Sequence, residues 1–156
     1  MNPAVIHVDY TIPGGLDWAE RGEPEPLSIK HGDCVCVIER SDPTVLLLAK
    51  GHYSENTGRY VKNDERIQLP DGINGRFCKF LKKDDTDTLC VFVMADDMQT
   101  CAVYDWNTSD CYAYGPIPNP LPANAQLIRV VVTDAPTMQL AYYIGDVLTT
   151  ITVHLE

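Results

Sequence analysis

Cysteine and histidine are where chemistry would be sought first: six thiols, at Cys34, Cys36, Cys78, Cys90, Cys101 and Cys111, and four imidazoles, at His7, His31, His52 and His154. A thiol beside an imidazole makes a nucleophile, and because such groups meet in space rather than in sequence, any of the six is formally available. No local pattern pairs one with a histidine, and neither a phosphate-cradling loop nor a G-x-S-x-G elbow occurs. Cys34 and Cys36 share one face of a strand, yet a zinc site needs a second ligand pair, and none stands at ligand spacing. Asp84-Asp85-Thr86-Asp87 lacks the alternating ligands and the glycine of a calcium loop and reads as a solvated turn. The inventory points to a protein that is not an enzyme and needs no cofactor or metal, with its thiols reduced and serving as small apolar core residues.

Charge narrows the partners. With 22 acidic against 12 basic side chains, the formal charge is −10. Neutralising phosphates takes a clustered basic surface, and the basic pair Lys82-Lys83 is followed at once by Asp84-Asp85, so nucleic-acid binding is not expected. An acidic surface suits a partner protein with a basic surface. The first ten residues, MNPAVIHVDY, have neither a basic start nor a signal-length apolar run, and no window approaches the roughly 18 apolar residues of a membrane span. These features give the expectation of an intracellular, cytoplasmic protein without membrane contact.

The elements that must position these groups read as strands throughout, because no i, i+3, i+4, i+7 pattern persists over three turns. Val5 to Tyr10 alternates as a first strand. Thr11 to Pro26 is an acidic loop, with one helical turn expected at Leu16 to Arg21 and with Pro24 and Pro26 forbidding regular structure at its end. Leu27 to Leu69 is the organising stretch. Gly32-Asp33 is read as a turn into Cys34 to Glu39, Asp42-Pro43 turns the chain back, and Val45 to Lys50 returns antiparallel. A strand at about Arg59 to Val61 and a short turn or 3₁₀ segment near Lys62 to Arg66 follow. Pro70-Asp71-Gly72 and Asn74-Gly75 mark the strongest break, which divides the chain into residues 1–72 and a second β module, 73–156, packed together as one unit. The second module contains strands at Arg76 to Leu81, Leu89 to Met94, Thr100 to Tyr104 and Cys111 to Tyr114. An extended proline segment, GPIPNPLP, leads to Gln126 to Thr133, Gln139 to Ile144 and Val147 to Leu155, the last two joined at Gly145-Asp146.

CVCVIERSDPTVLLLAK from Cys34 and CVFVMADDMQTCAVYDW from Cys90 share one outline of strand, acidic turn and strand, so the second module reads as a pseudo-repeat of the first. The first 70 residues, through VDY, a long acidic loop, LSIKHGD, VIERSD, VLLLAKG and TGRYV, resemble an SH3 domain. Asp9-Tyr10, Leu27-Ser28, Gly32-Asp33, Leu48-Ala49-Lys50 and Gly58 carry the resemblance, which implies a small β-barrel. The fold expected is therefore all-β, an SH3-like barrel followed by antiparallel hairpins. The family's groove residues are replaced, with Leu46 and Leu47 for its tryptophan pair, Lys62 for its proline, Glu65 for its closing tyrosine and Val8 for its first tyrosine. Proline-rich peptide is then not the ligand, because aromatic walls grip that extended helix. A fainter similarity, to the all-β CABIT-type domains with their core cysteine, lies at ERIQLPDGINGRFCKF.

The function expected is a non-catalytic protein-binding module. Its first candidate contact is the acidic loop with Asp17, Trp18, Glu20 and Glu23, an aromatic among charges of the kind found at interfaces. Trp18 either offers that contact or packs the loop onto the barrel. An inhibitor or antitoxin-like protein masking a basic enzyme site is the alternative that the charge supports. Carbohydrate binding is the third, through Trp106, Tyr112 and Tyr114 with Asn107 and Asp110.

Overall fold

The structure is a computed structural model that describes residues 6–7, 18–29, 32–83, 86–133 and 137–154. Its strands, in chain order, are β1 (Ile6–His7), β2 (Ala19–Glu20), β3 (Glu25–Ile29), β4 (Gly32–Ile38), β5 (Val45–Ala49), β6 (Gly51–Ser54), β7 (Arg59–Lys62) and β8 (Glu65–Gln68). A 3₁₀ turn, Pro70–Gly72, precedes β9 (Gly75–Lys82), β10 (Leu89–Ala95), β11 (Thr100–Asp105), β12 (Cys111–Pro116), β13 (Gln126–Val132), β14 (Thr137–Ile144) and β15 (Val147–His154). All pairings are antiparallel, and the protein is all-β.

Three layers result. A middle sheet, in the order β12-β11-β10-β9-β2, lies between an N-terminal sheet, β3-β4-β5-β8, and a C-terminal sheet, β1-β13-β14-β15. Side-chain alternation divides the middle sheet between two cores. Phe77, Phe92, Met94, Cys101 and Val103 face the C-terminal sheet and meet Leu127, Val130, Val132, Met138 and Leu140. Cys78, Phe80, Val91, Val93, Ala102 and Tyr104 face the other way and meet Cys34, Cys36, Ile38, Leu46 and Leu48. This is why LCVFVMA in β10 is an unbroken apolar run, whereas CVCVI in β4 alternates buried and half-buried residues: β10 is covered on both faces and β4 on one. The echo between the two hairpins is therefore one of outline. Their ladders also differ in register, with Cys36 opposite Leu48 but Phe92 opposite Val103.

The N-terminal sheet is built from strands that all precede residue 72, whereas the other two sheets combine β9 to β15 with β2 and β1 from before it. Backbone hydrogen bonds extend the β2–β9 pairing and tie the middle sheet to the N-terminal one. Arg21 N donates to Arg76 O at 2.8 Å, Gly22 N to Ile38 O at 2.8 Å and Gly75 N to Pro43 O at 2.8 Å. Gly75 permits the approach, since a Cβ there would stand 2.9 Å from Ile38 Cδ1. Gly145-Asp146 forms the expected two-residue hairpin, with Gly145 at φ +58 opening the turn and Ile144 opposite Val147.

Four local expectations are corrected. Residues 19–20 pair with β9 in place of a helical turn, Ala19 opposite Cys78. Pro26 lies inside β3, where a proline is tolerated because β3 is an edge strand. Gly32-Asp33 belongs to β4, with Gly32 opposite Ile29 and Asp33 opposite Ser28, in place of the turn expected there. Lys62 to Arg66 is extended, because β5–β6 and β7–β8 are the two halves of one long hairpin in a single register, pivoting at Lys50 and Asn63-Asp64. There Asn63 N donates to Lys50 O at 2.9 Å, and Lys50 N to Asp64 Oδ1 at 3.1 Å. In the first strand expected, Val5 and Val8 to Tyr10 lie outside the described residues, and Ile6–His7 pairs with β13.

Candidate functional site

Of the residues expected to form a partner contact in the acidic loop, Trp18 is taken into the core, while Glu20 and Glu23 share a turn. Asp17 lies outside the described residues. Trp18 is 5% exposed, with its ring 5.5 Å from Phe77 and 5.5 Å from Phe92 and its Nε1 donating to Leu127 O at 3.4 Å. It packs the loop onto the core. A side chain of this size contributes about 1.5–3 kcal/mol by burial, and each edge-on aromatic neighbour adds about 0.5–1.5 kcal/mol. Glu20, in β2, is half-buried opposite Phe77, and Glu23 is exposed beyond the turn that its own N–H closes onto Glu20 O. The neighbouring Arg21 is engaged with the Asp96 carboxylate and with Gly75 O.

The expected sugar platform is dismantled by the middle sheet. Trp106 is buried among the N-terminal-facing side chains, with Phe80 edge-on at 5.3 Å and Lys50 Nζ 5.2 Å over its ring. Tyr112 packs against the opposite core, with Lys83 Nζ 4.9 Å over its ring and its hydroxyl donating to Thr133 O. Tyr114 is half-buried on the Trp106 side, and its hydroxyl donates to Asp71 Oδ2 at 2.9 Å. Asn107 and Asp110 flank a turn that the Asp105 carboxylate caps. No open stacking face is shared by Trp106 and Tyr112.

The thiols are divided: Cys34, Cys36 and Cys78 lie between the N-terminal and middle sheets, Cys90 and Cys101 face the C-terminal sheet, and Cys111 is exposed. Cys36 Sγ lies 3.8 Å from Cys78 Sγ, beside the Lys79–Glu25 ion pair at 3.0 Å. Burial, and then the contact with Cys78, hold the Cys36 thiol well above its ordinary range. Burial also pushes Cys90 up to about 11 and raises Cys101 and Cys111. The thiolate is the nucleophile, so these groups are held in their unreactive form at neutral pH. Among the described residues no group of three His, Cys, Asp or Glu side chains is placed to hold a metal ion. Nor is any helix among them long and apolar enough to cross a membrane.

The large hydrophobic side chains that the described residues leave exposed fall in two places. Val147 and Leu148 stand at the last hairpin, and Tyr53, Tyr60 and Val61 stand on the ribbon β6–β7. That ribbon forms a two-stranded sheet of its own and contributes to neither core. Its strands meet at a four-residue turn, Glu55 to Gly58, closed by Gly58 N donating to Ser54 O at 2.8 Å with Gly58 at φ +66. Tyr53 and Tyr60 are directly opposite, at 41% and 39% exposure, and so share one face, while Val61, 41% exposed, lies opposite His52 on the other. The Tyr60 ring lies across Gly51, where a Cβ would come within 2.3 Å of it, so the glycine gives the tyrosine its seat. At the base, Lys50 Nζ donates to Ser109 Oγ at 2.5 Å, and burial lowers its pKa against the opposing charges of Glu65 and Asp105. The arm is therefore anchored at its pivot, with aromatic and branched side chains standing beyond. In the sequence its signal is slight: a tyrosine in each of two short runs, GHYS and RYVK, set among mostly polar residues and separated by the Asn56-Thr57-Gly58 break. No protein-family model, curated protein or solved structure matches this chain.

Proposed function

We propose that this protein is a non-catalytic protein-binding module whose principal contact is the β6–β7 arm. The observation that carries the reading is the placement of Tyr53, Tyr60 and Val61, exposed together on a ribbon that the cores do not use. Aromatic side chains ringed by polar groups are the usual composition of binding hot spots, since they supply large contact area at low entropic cost. A two-stranded ribbon also leaves backbone donors and acceptors at its edges, to which an extended segment can add. The net charge of −10 favours encounter with a basic partner. The acidic loop keeps a smaller part, through exposed Glu23, because Trp18 is committed to the core. The raised thiols favour this reading over nucleophilic catalysis.

Affinity capture from the native host, with the wild-type chain and a Tyr53→Ser/Val61→Ser variant run side by side, tests it. The expected result is that proteins retained by the wild type are lost by a variant of unchanged melting temperature. Equal retention of the same proteins by both would remove the arm from the reading.

A further inference from the structure

A β-sheet ends in rows of unpaired N–H and C=O groups, and folded proteins blunt such edges with charge, proline, bulges or brevity. The described edges of this protein follow the rule with one exception. β1 and β2 are two residues long, β3 carries Glu25 and Pro26, and β8 carries Glu65 and Arg66. β12 has a register shift opposite Val103/Tyr104 and ends on Gly115-Pro116, and the arm carries His52, Arg59 and Lys62. β15 has none of these devices. From Val147 to Val153 it reads VLTTITV, without charge, proline or glycine, and it pairs along its whole length with β14 in one unbroken register. No described strand pairs with its outer edge.

The occupant follows from the strand itself, whose residues Val147 to Val153 are uncharged and nearly self-matching about Thr150. Two copies of a chain with net charge −10 repel one another over most of their surface, and a neutral strip is where they can meet without placing like charges opposite. We propose that β15 pairs antiparallel with β15 of a second copy, about a twofold axis at Thr150. In that register Thr150 lies opposite itself and Leu148 opposite Thr152 on the exposed face. Thr149 then lies opposite Ile151, and Val147 opposite Val153, on the face toward the core. Every pair is uncharged and joins residues suited to strands. The register also accounts for Val147, which belongs to the core-facing row by alternation yet is 65% exposed in the single chain: it would meet the buried end of the other copy's row, at Val153. Such a pairing is isologous and closes on itself, giving a dimer with one continuous sheet across the axis.

Sedimentation of the full chain over a range of concentrations, with Thr150→Lys and Thr150→Glu variants, tests the proposal. The wild type is expected to move from the mass of one chain toward that of two, with a Kd on the order of 10 µM for so small a contact. Each variant alone, carrying like charges across the axis, is expected to remain at the mass of one chain. An equimolar mixture of the two variants is expected to restore the mass of two, because the introduced lysine of one copy then faces the introduced glutamate of the other, a result that a misfolded variant would not give. A wild type that stays at one chain at every concentration, a dimer that persists in both variants, or a mixture that fails to recover it would each overturn the pairing.

Discussion

Trp18 and the Tyr53–Tyr60 pair are large aromatic side chains set among glycines and charges in the sequence, and the fold uses them in opposite ways. Trp18 is drawn between Phe77 and Phe92, where the middle and C-terminal sheets close on it. Tyr53 and Tyr60 stand on a ribbon that has left the N-terminal sheet at Lys50 and Asn63-Asp64, beyond the reach of either core. The difference is one of covering layers. The strand pair β5–β8 is packed on one face by the middle sheet, and its continuation one hinge further out, β6–β7, has no sheet packed on it among the described residues. An aromatic residue in the first setting serves stability, and in the second it is available for contact.

Substitutions rank along this division. Trp18→Ala empties the space between two phenylalanines and is expected to cost about 3–5 kcal/mol of folding stability, read by denaturant titration. A loss under about 1 kcal/mol would mean that the loop is not packed as described. Next comes the alkaline limb of stability, which reports the buried thiols between the layers. Cys90 has its folded pKa raised to about 11, above that of an unfolded thiol near 8.5, so the folded state holds the proton longer. The resulting stabilisation is fully present below about pH 8.5 and is lost as pH rises through 11, by at most about 3 kcal/mol for this thiol. Unfolding midpoints of the wild type and Cys90→Ala between pH 8 and 11 are expected to converge as pH rises, and parallel curves would show that Cys90 does not carry the effect. Smaller again is Tyr104→Phe. The Tyr104 hydroxyl is buried with no hydrogen-bond partner among the described residues, so removing it is expected to stabilise the protein by about 1 kcal/mol. Destabilisation instead would reveal a partner for that hydroxyl. Smallest is the arm, where Tyr53→Ser with Val61→Ser is expected to change stability by no more than about 0.5 kcal/mol while abolishing partner capture.

What the sequence makes legible divides along the same line. The all-β character, the strands β9 to β15 and the Gly145-Asp146 hairpin are readable, because period-two alternation and turn chemistry are local. The run LCVFVMA even carries the sign of a strand buried twice over. The three-layer stack is not readable, since it rests on pairings distant in the chain, β2 with β9 and β1 with β13, that leave no local trace. Trp18 reads as plug or contact because the choice depends on which sheet closes over it. The arm is half legible for the converse reason: Arg59 to Val61 reads as strand, Gly51 to Ser54 carries no such signal, and neither run says whether a layer covers it. Sequence therefore points to the acidic loop, where charge and an aromatic lie close along the chain, and not to the ribbon, where pairing brings two tyrosines together.

The separation of core from arm is tested most directly by native-state hydrogen exchange resolved by residue. Amides of Val91, Phe92 and Val93, in the strand packed on both faces, are expected to exchange only through global unfolding. Those of Tyr53, Tyr60 and Val61 are expected to exchange by local opening, at least about a thousandfold faster. Equal protection of the two sets would contradict the account, since the arm would then belong to the cooperative core.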